Sequence, residues 1–135
     1  MIAVDSSVWI DHFNGRRTEQ TARLGVLLDD ENLPILVGDI IMYEVLCGFR
    51  TSRAAMAART LLEKRVLVTM LGFELVHRAI EHRHTLRAKG ATIPTPDIFI
   101  GTYCIEAGAE LLTADRDFLP MRDHLGLRLV EFGVI

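Results

Sequence analysis

No run in the 135 residues approaches the ~20 consecutive apolar positions of a membrane span, because Pro34, Asp39 and Glu44 break the richest region and Thr69 and Gly72 the next. The opening Met-Ile-Ala-Val-Asp has neither the basic stretch nor the apolar core of a secretory leader, so a cytoplasmic location is expected. There are two cysteines, Cys47 and Cys104, both within apolar segments, and they read as reduced core thiols rather than a bridge. The patterns G-x-x-x-x-G-K-[ST], C-x-x-C and G-x-S-x-G are all missing, which excludes P-loop nucleotide hydrolysis. Positive charge is also scarce. Fifteen Lys and Arg stand against eighteen Asp and Glu, a net charge of −3, which argues against a protein that simply coats nucleic acid.

Half of the residues are apolar, enough to bury a core within one domain. The charge is unevenly spread. Residues 50 to 90 hold nine Lys and Arg against three acids, whereas the rest holds six against fifteen. A basic middle therefore lies between two acidic ends, and the decisive matter is whether any acids fall where water should be scarce.

Hydrophobic periodicity gives a strand over residues 1–4, and a helix that starts near Ser7 and stops at Asn14 and Gly15. A second helix is expected within 17–31, with Ala22, Val26, Leu27 and Leu28 on its inner face, and a strand from Leu33 to Val37. Further helices are expected over about 40–48, 54–62 and 71–88, with a strand over 66–69 between the last two. Gly90 to Thr95 reads as a loop, with Thr95 capping a helix that opens at Pro96 and ends at Gly108. Strands over 109–113 and 127–131 complete the pattern. Strands alternating with helices predict an α/β fold, a single domain over 1–135 with a central parallel sheet and helices on both faces.

Such sheets gather ligands at the carboxyl ends of their strands. Asp5 ends the first strand and Asp115 lies just past the strand 109–113. Asp97 sits in the first turn of an apolar helix, and Glu44 lies within Ile40-Ile41-Met42-Tyr43-Glu44-Val45-Leu46-Cys47, where no helical face is polar. Each acid has an ordinary explanation: Asp5 as a helix N-cap, Asp97 at a positive helix end, Asp115 and Asp117 as turn residues, Glu44 paired with an arginine. All four explanations holding together is the weaker account, because the fold independently sends Asp5 and Asp115 to one crevice. Clustered carboxylates repel, by roughly 4 kcal/mol for a pair at ~4 Å in an effective dielectric near 20. They need protons or a cation, and oxygen donors without His or Cys select Mg²⁺ or Mn²⁺. Phosphodiester hydrolysis is the chemistry that suits such a site.

Four segments, Val4-Asp5-Ser6-Ser7-Val8-Trp9-Ile10, Tyr43-Glu44-Val45-Leu46-Cys47-Gly48, Ile93-Pro94-Thr95-Pro96-Asp97-Ile98-Phe99-Ile100 and Leu112-Thr113-Ala114-Asp115-Arg116-Asp117-Phe118, resemble the ordered acidic motifs of PIN-domain ribonucleases, and within these the VapC-type toxins. The resemblance runs the length of the chain. It implies a metal site of Asp5, Glu44, Asp97 and Asp115, with Ser6 and Thr113 as polar supports and Asp117 as a further acid. It also implies a Mg²⁺- or Mn²⁺-dependent endoribonuclease, a cognate antitoxin that silences it, and a homodimer whose crevices line one groove. The chain departs from the pattern in having Ser6 where Thr is common, and Gly101, Thr102 and Tyr103 where small alanines are common.

The basic middle, Arg50, Arg53 and Arg87 above all, is expected to hold an RNA backbone beside the acids. The antitoxin is expected to insert an Arg among the carboxylates and to lay an amphipathic segment on Val8, Trp9, Phe13, Ile41, Val45 and Phe49. His12, His82 and His84 read as surface histidines. Two further readings are a PIN nuclease of RNA maturation without a toxin role, and a non-enzymatic receiver-like signalling module. The receiver reading needs a phospho-accepting Asp near mid-chain, and residues 50 to 90 contain none.

Overall fold

The computed structural model describes residues 1–132. Four short strands, β1 (Ile2–Val4), β2 (Ile35–Gly38), β3 (Val66–Val68) and β4 (Glu110–Leu112), form one parallel sheet in the order β3-β2-β1-β4. Its registers place Ile2 opposite Ile35 on one side and Glu110 on the other, with Leu36 opposite Val66. Seven α-helices are found among the described residues: α1 (Ser6–Phe13), α2 (Glu19–Asp29), α3 (Asp39–Cys47), α4 (Ser52–Leu62), α5 (Phe73–Ala88), α6 (Thr95–Ala107) and α7 (Leu119–Leu125), the last preceded by a 3₁₀ turn at Arg116–Phe118. The expected α/β class with a central parallel sheet is what the chain forms.

The strand order fixes the two layers. The path β1 to β2 to β3 moves one way along the sheet and the path β3 to β4 returns past β1, so right-handed crossovers put α1 to α4 on one face and α5 and α6 on the other. The packing agrees: α1 lies on α2 and α3, and α3 on α4, while α5 lies on α6 and α7. With both faces covered, every residue of β1 and β2 is buried, as their unbroken apolar runs require. β3 is an edge strand and its Val66 and Leu67 are exposed. The chain reverses direction about β1, so the crevice between the carboxyl ends of β1 and β4 is the switch point at which such sheets bind ligands.

Several local expectations change. Residues 127–131 form a single parallel bridge, Leu129 to Leu111, because β4 is already paired on its other side and only its outer edge is free. The inner face of α2 is centred on Leu24, with Leu27 and Leu28 half-buried, whereas Ala22 and Val26 face solvent. α6 opens at Thr95 with Pro94 as N-cap, one residue earlier than expected. Cys104 is a buried core thiol, but Cys47 is exposed at the end of α3. His82 is half-buried against the fully buried Thr102, 2.8 Å from its Oγ1, which explains why burial lowers its pKa. No described helix is long and apolar enough to cross a membrane.

Candidate metal centre

Asp5 follows β1 directly. Its amide donates to the Leu112 carbonyl at 2.9 Å, tying the ends of β1 and β4 together. Asp5 takes the N-cap backbone position of α1, yet its side chain makes no capping bond. Instead Asp5 Oδ2 accepts from Ser7 Oγ at 2.7 Å and from Thr113 Oγ1 at 2.9 Å. A carboxylate 3 % exposed is thus held by hydroxyls rather than by any cation, which decides against the cap explanation. Burial raises its pKa, the two hydroxyl bonds lower it in part, and the charge of Asp115 raises it again.

Thr113 serves both acids. Its Oγ1 also accepts from the Asp115 amide at 2.9 Å, and Asp115 Oδ1 in turn accepts from the Asp117 amide at 2.8 Å. This Asx-type turn is what folds the chain after β4, so the turn explanation for Asp115 holds for one of its oxygens alongside any other role. Glu44, half-buried on α3, accepts from Ser6 Oγ at 3.1 Å and has no arginine partner. Its pKa is raised by burial and then by Asp5 and Asp115, with Ser6 opposing. Asp97, in the first turn of α6, is 8 % exposed. Burial first, then the charges of Asp5, Asp115, Glu44 and Asp117, push its carboxyl up to about 7.

The structure thus brings together every acid named from the sequence. Oxygens of Asp97, Asp115 and Asp117 lie within 4.8 Å of one another, and Asp5 and Glu44 stand outside that trio while their charges reach it. The ion pairs among the described residues use Asp11, Glu63, Glu81, Glu106 and Asp123 and leave all five of these carboxylates unpaired. Oxygen donors alone, unneutralised and partly dry, fit a hard divalent cation. Ser6 and Thr113 are placed as supports, whereas Arg50 and Arg53 are exposed at the α3–α4 junction and Arg87 is exposed near the end of α5.

A PIN domain family match covers residues 2–122. The chain belongs to the PIN domain family. That membership places it with hydrolases acting on nucleic acid, whose members use divalent metals. Among curated proteins none matches it. Its fold is similar to that of the VapBC2 complex of Rickettsia felis bound to a promoter DNA fragment, with TM-score 0.77 and 18 % identity over 98 % of this chain and 100 % of that one. VapBC-1 of nontypeable Haemophilus influenzae gives 0.71 and 22 %, covering 97 % and 98 %. VapC20 of Mycobacterium tuberculosis, a toxin that cleaves the sarcin–ricin loop, gives 0.67 and 18 %, covering 88 % and 93 %.

Two features of this PIN domain escaped the sequence reading. Ser7 is a direct donor to Asp5 and also accepts from the Ala114 amide at 3.3 Å; a hydroxyl two residues after a strand-ending acid was the available signal. Gly101 lets the end of the Met121 side chain of α7 lie directly against α6, and a Cβ there would oblige that methionine to shift. The surface expected for an amphipathic partner also changes. Val8, Trp9, Ile41 and Val45 are buried in the core between helix and sheet, and of that set only Phe13 and Phe49, packed edge to face, are partly exposed.

Proposed function

We propose that this PIN domain is a Mg²⁺- or Mn²⁺-dependent endoribonuclease and the toxin half of a toxin–antitoxin pair, silenced by a cognate antitoxin and acting as a homodimer in the cytoplasm. The observation that carries the reading is the convergence of five carboxylates with no counter-cation at the switch point of the sheet. In this reading Asp97, Asp115 and Asp117, with Asp5 and Glu44 beside them, would hold the ion, and Ser6, Ser7 and Thr113 orient them. A bound divalent ion supplies the charge neutralisation that an in-line displacement at phosphorus needs.

The chain's own residues prepare the site. Ser7 and Thr113 both donate to Oδ2 of Asp5, fixing the rotamer and leaving Oδ1 without a hydroxyl donor. Ser6 holds Glu44 in the same way from the next residue of the chain. Asp97 retains its proton up to about neutral pH when nothing opposes the surrounding charge, and loses it once positive charge enters. Phosphate would be repelled by five acids alone, so Arg50, Arg53 and Arg87 are assigned to the RNA backbone. The antitoxin and toxin roles rest on the likeness to the VapBC structures together with the four acidic motifs.

Expression of the chain alone should cut cellular RNA and arrest growth, and co-expression of its cognate antitoxin should restore growth. Nuclease activity in vitro with no growth defect would assign the chain to RNA maturation instead.

A further inference from the structure

Outside the acidic centre, α5 carries one face on which two kinds of residue are sorted by position. Val76, Ala79 and Ile80 occupy its first half, and Arg83, His84 and Arg87 continue the same stripe at i+7, i+8 and i+11 from Val76. The stripe lines a pocket of about 270 Å³ against α6, closed by Thr95, Ile98 and Phe99. No acid lines it, and neither His84 nor Arg87 takes part in an ion pair among the described residues.

The direction of the sorting matters. Arg83 Nη1 donates to the Ile93 carbonyl at 2.6 Å and Nη2 to Thr95 Oγ1 at 3.4 Å, so the cationic half lies at the N-terminal end of α6, the end that carries Asp97. The apolar half points away from the acids, toward Phe99 and the 91 % exposed Phe73. Thr95 and Asp97 are two residues apart and therefore face different sides of α6, so anything spanning both must pass over the helix end. A flexible polyanion with a flat apolar group on each unit matches this layout.

We infer that the α5–α6 pocket is a nucleotide subsite for the strand being cut, which rests on the nuclease reading above. A phosphate neighbouring the cleaved bond sits against Arg87 and His84, and its base enters between Val76, Ile80 and Phe99. Single-stranded RNA is read in this way, by stacking on aromatic side chains beside a cationic track. Arg83 is a positioning residue here, since its guanidinium donors are committed to the loop that enters α6.

The test uses the full chain and a fluorescent single-stranded RNA that the wild type cuts, with binding measured in EDTA by polarisation and cleavage measured in Mg²⁺. Arg87→Gln should weaken binding several-fold and reduce the slope of log K against log salt by ~0.7, the value for one phosphate of a single strand. Phe99→Ala should weaken it about tenfold with the salt slope unchanged. Because Phe99 is partly buried, Ile80→Glu, at an exposed position, repeats the test without touching the core. All three should raise KM far more than they lower kcat. Wild-type binding and KM in Arg87→Gln and Ile80→Glu would overturn the subsite and leave the nuclease standing. Conversion of a dimer to a monomer by Ile80→Glu at unchanged affinity per chain would overturn it too, and show that a second copy covers this face. A wild type that neither binds nor cuts RNA would overturn the nuclease reading itself.

Discussion

Asp97→Asn protein is expected to fold, to melt several degrees higher than the wild type in metal-free buffer at pH 8, and to cut RNA on the order of 10³-fold more slowly. The two effects have one cause. Asp97 is almost fully buried among four other acids, so its negative charge opposes the fold whenever no cation is present. The neutral amide keeps the shape and removes that repulsion, a gain of roughly 1–2 kcal/mol after allowance for solvent screening, or about 3–6 °C. Activity moves the other way, because a divalent ion contributes several kcal/mol of charge stabilisation at phosphorus and each 1.36 kcal/mol is tenfold in rate. Asp5→Asn should lose activity equally. A structural acid would show the reverse pattern, with stability lost and cleavage kept, since a true N-cap contributes about 1 kcal/mol. Thermal melts with and without chelator, alongside initial cleavage rates, separate the two.

Acidification should stabilise the metal-free protein. The carboxyl of Asp97 ionises near 7 in the fold and near 3.8 when unfolded, so between those values the folded chain binds more protons. Stability therefore rises as pH falls from about 8 toward 4, and burial raises Asp5 and Glu44 in the same direction. Adding Mn²⁺ at pH 8 should produce a comparable rise in Tm, and adding it at pH 5 a much smaller one, because protons already occupy the site. Asp97→Asn should flatten both responses. A Tm that falls steadily below pH 8 in the metal-free wild type would contradict this account of the pocket.

The sequence made the fold and the acids legible for a physical reason: strands buried on both faces read as unbroken apolar runs, and a carboxylate within such a run is costly. Asp97 and Glu44 stood out on those grounds, Asp5 and Asp115 by their places at the carboxyl ends of strands, and the structure brings all four to one crevice with Asp117. The supports were harder to see. Ser7 bonds Asp5 because α1 begins directly after β1, and this depends on a backbone direction that no periodicity reports. α7 was missed because seven residues with Pro120 near the start carry too little pattern to distinguish from a loop. Cys47 misled for the opposite reason, since an apolar sequence neighbourhood does not say which side of α3 faces out. The α5 stripe was visible as a helix, but the meaning of its charge sorting required α6 to be packed beside it.

The central claim is that these carboxylates act through a divalent cation on RNA. Its most direct test is cleavage of an end-labelled RNA by chain stripped of metal and then titrated with Mg²⁺ or Mn²⁺. The account predicts no cleavage after stripping, recovery that saturates with added ion, and no recovery in Asp97→Asn. Undiminished cleavage by the thoroughly stripped wild type would contradict it.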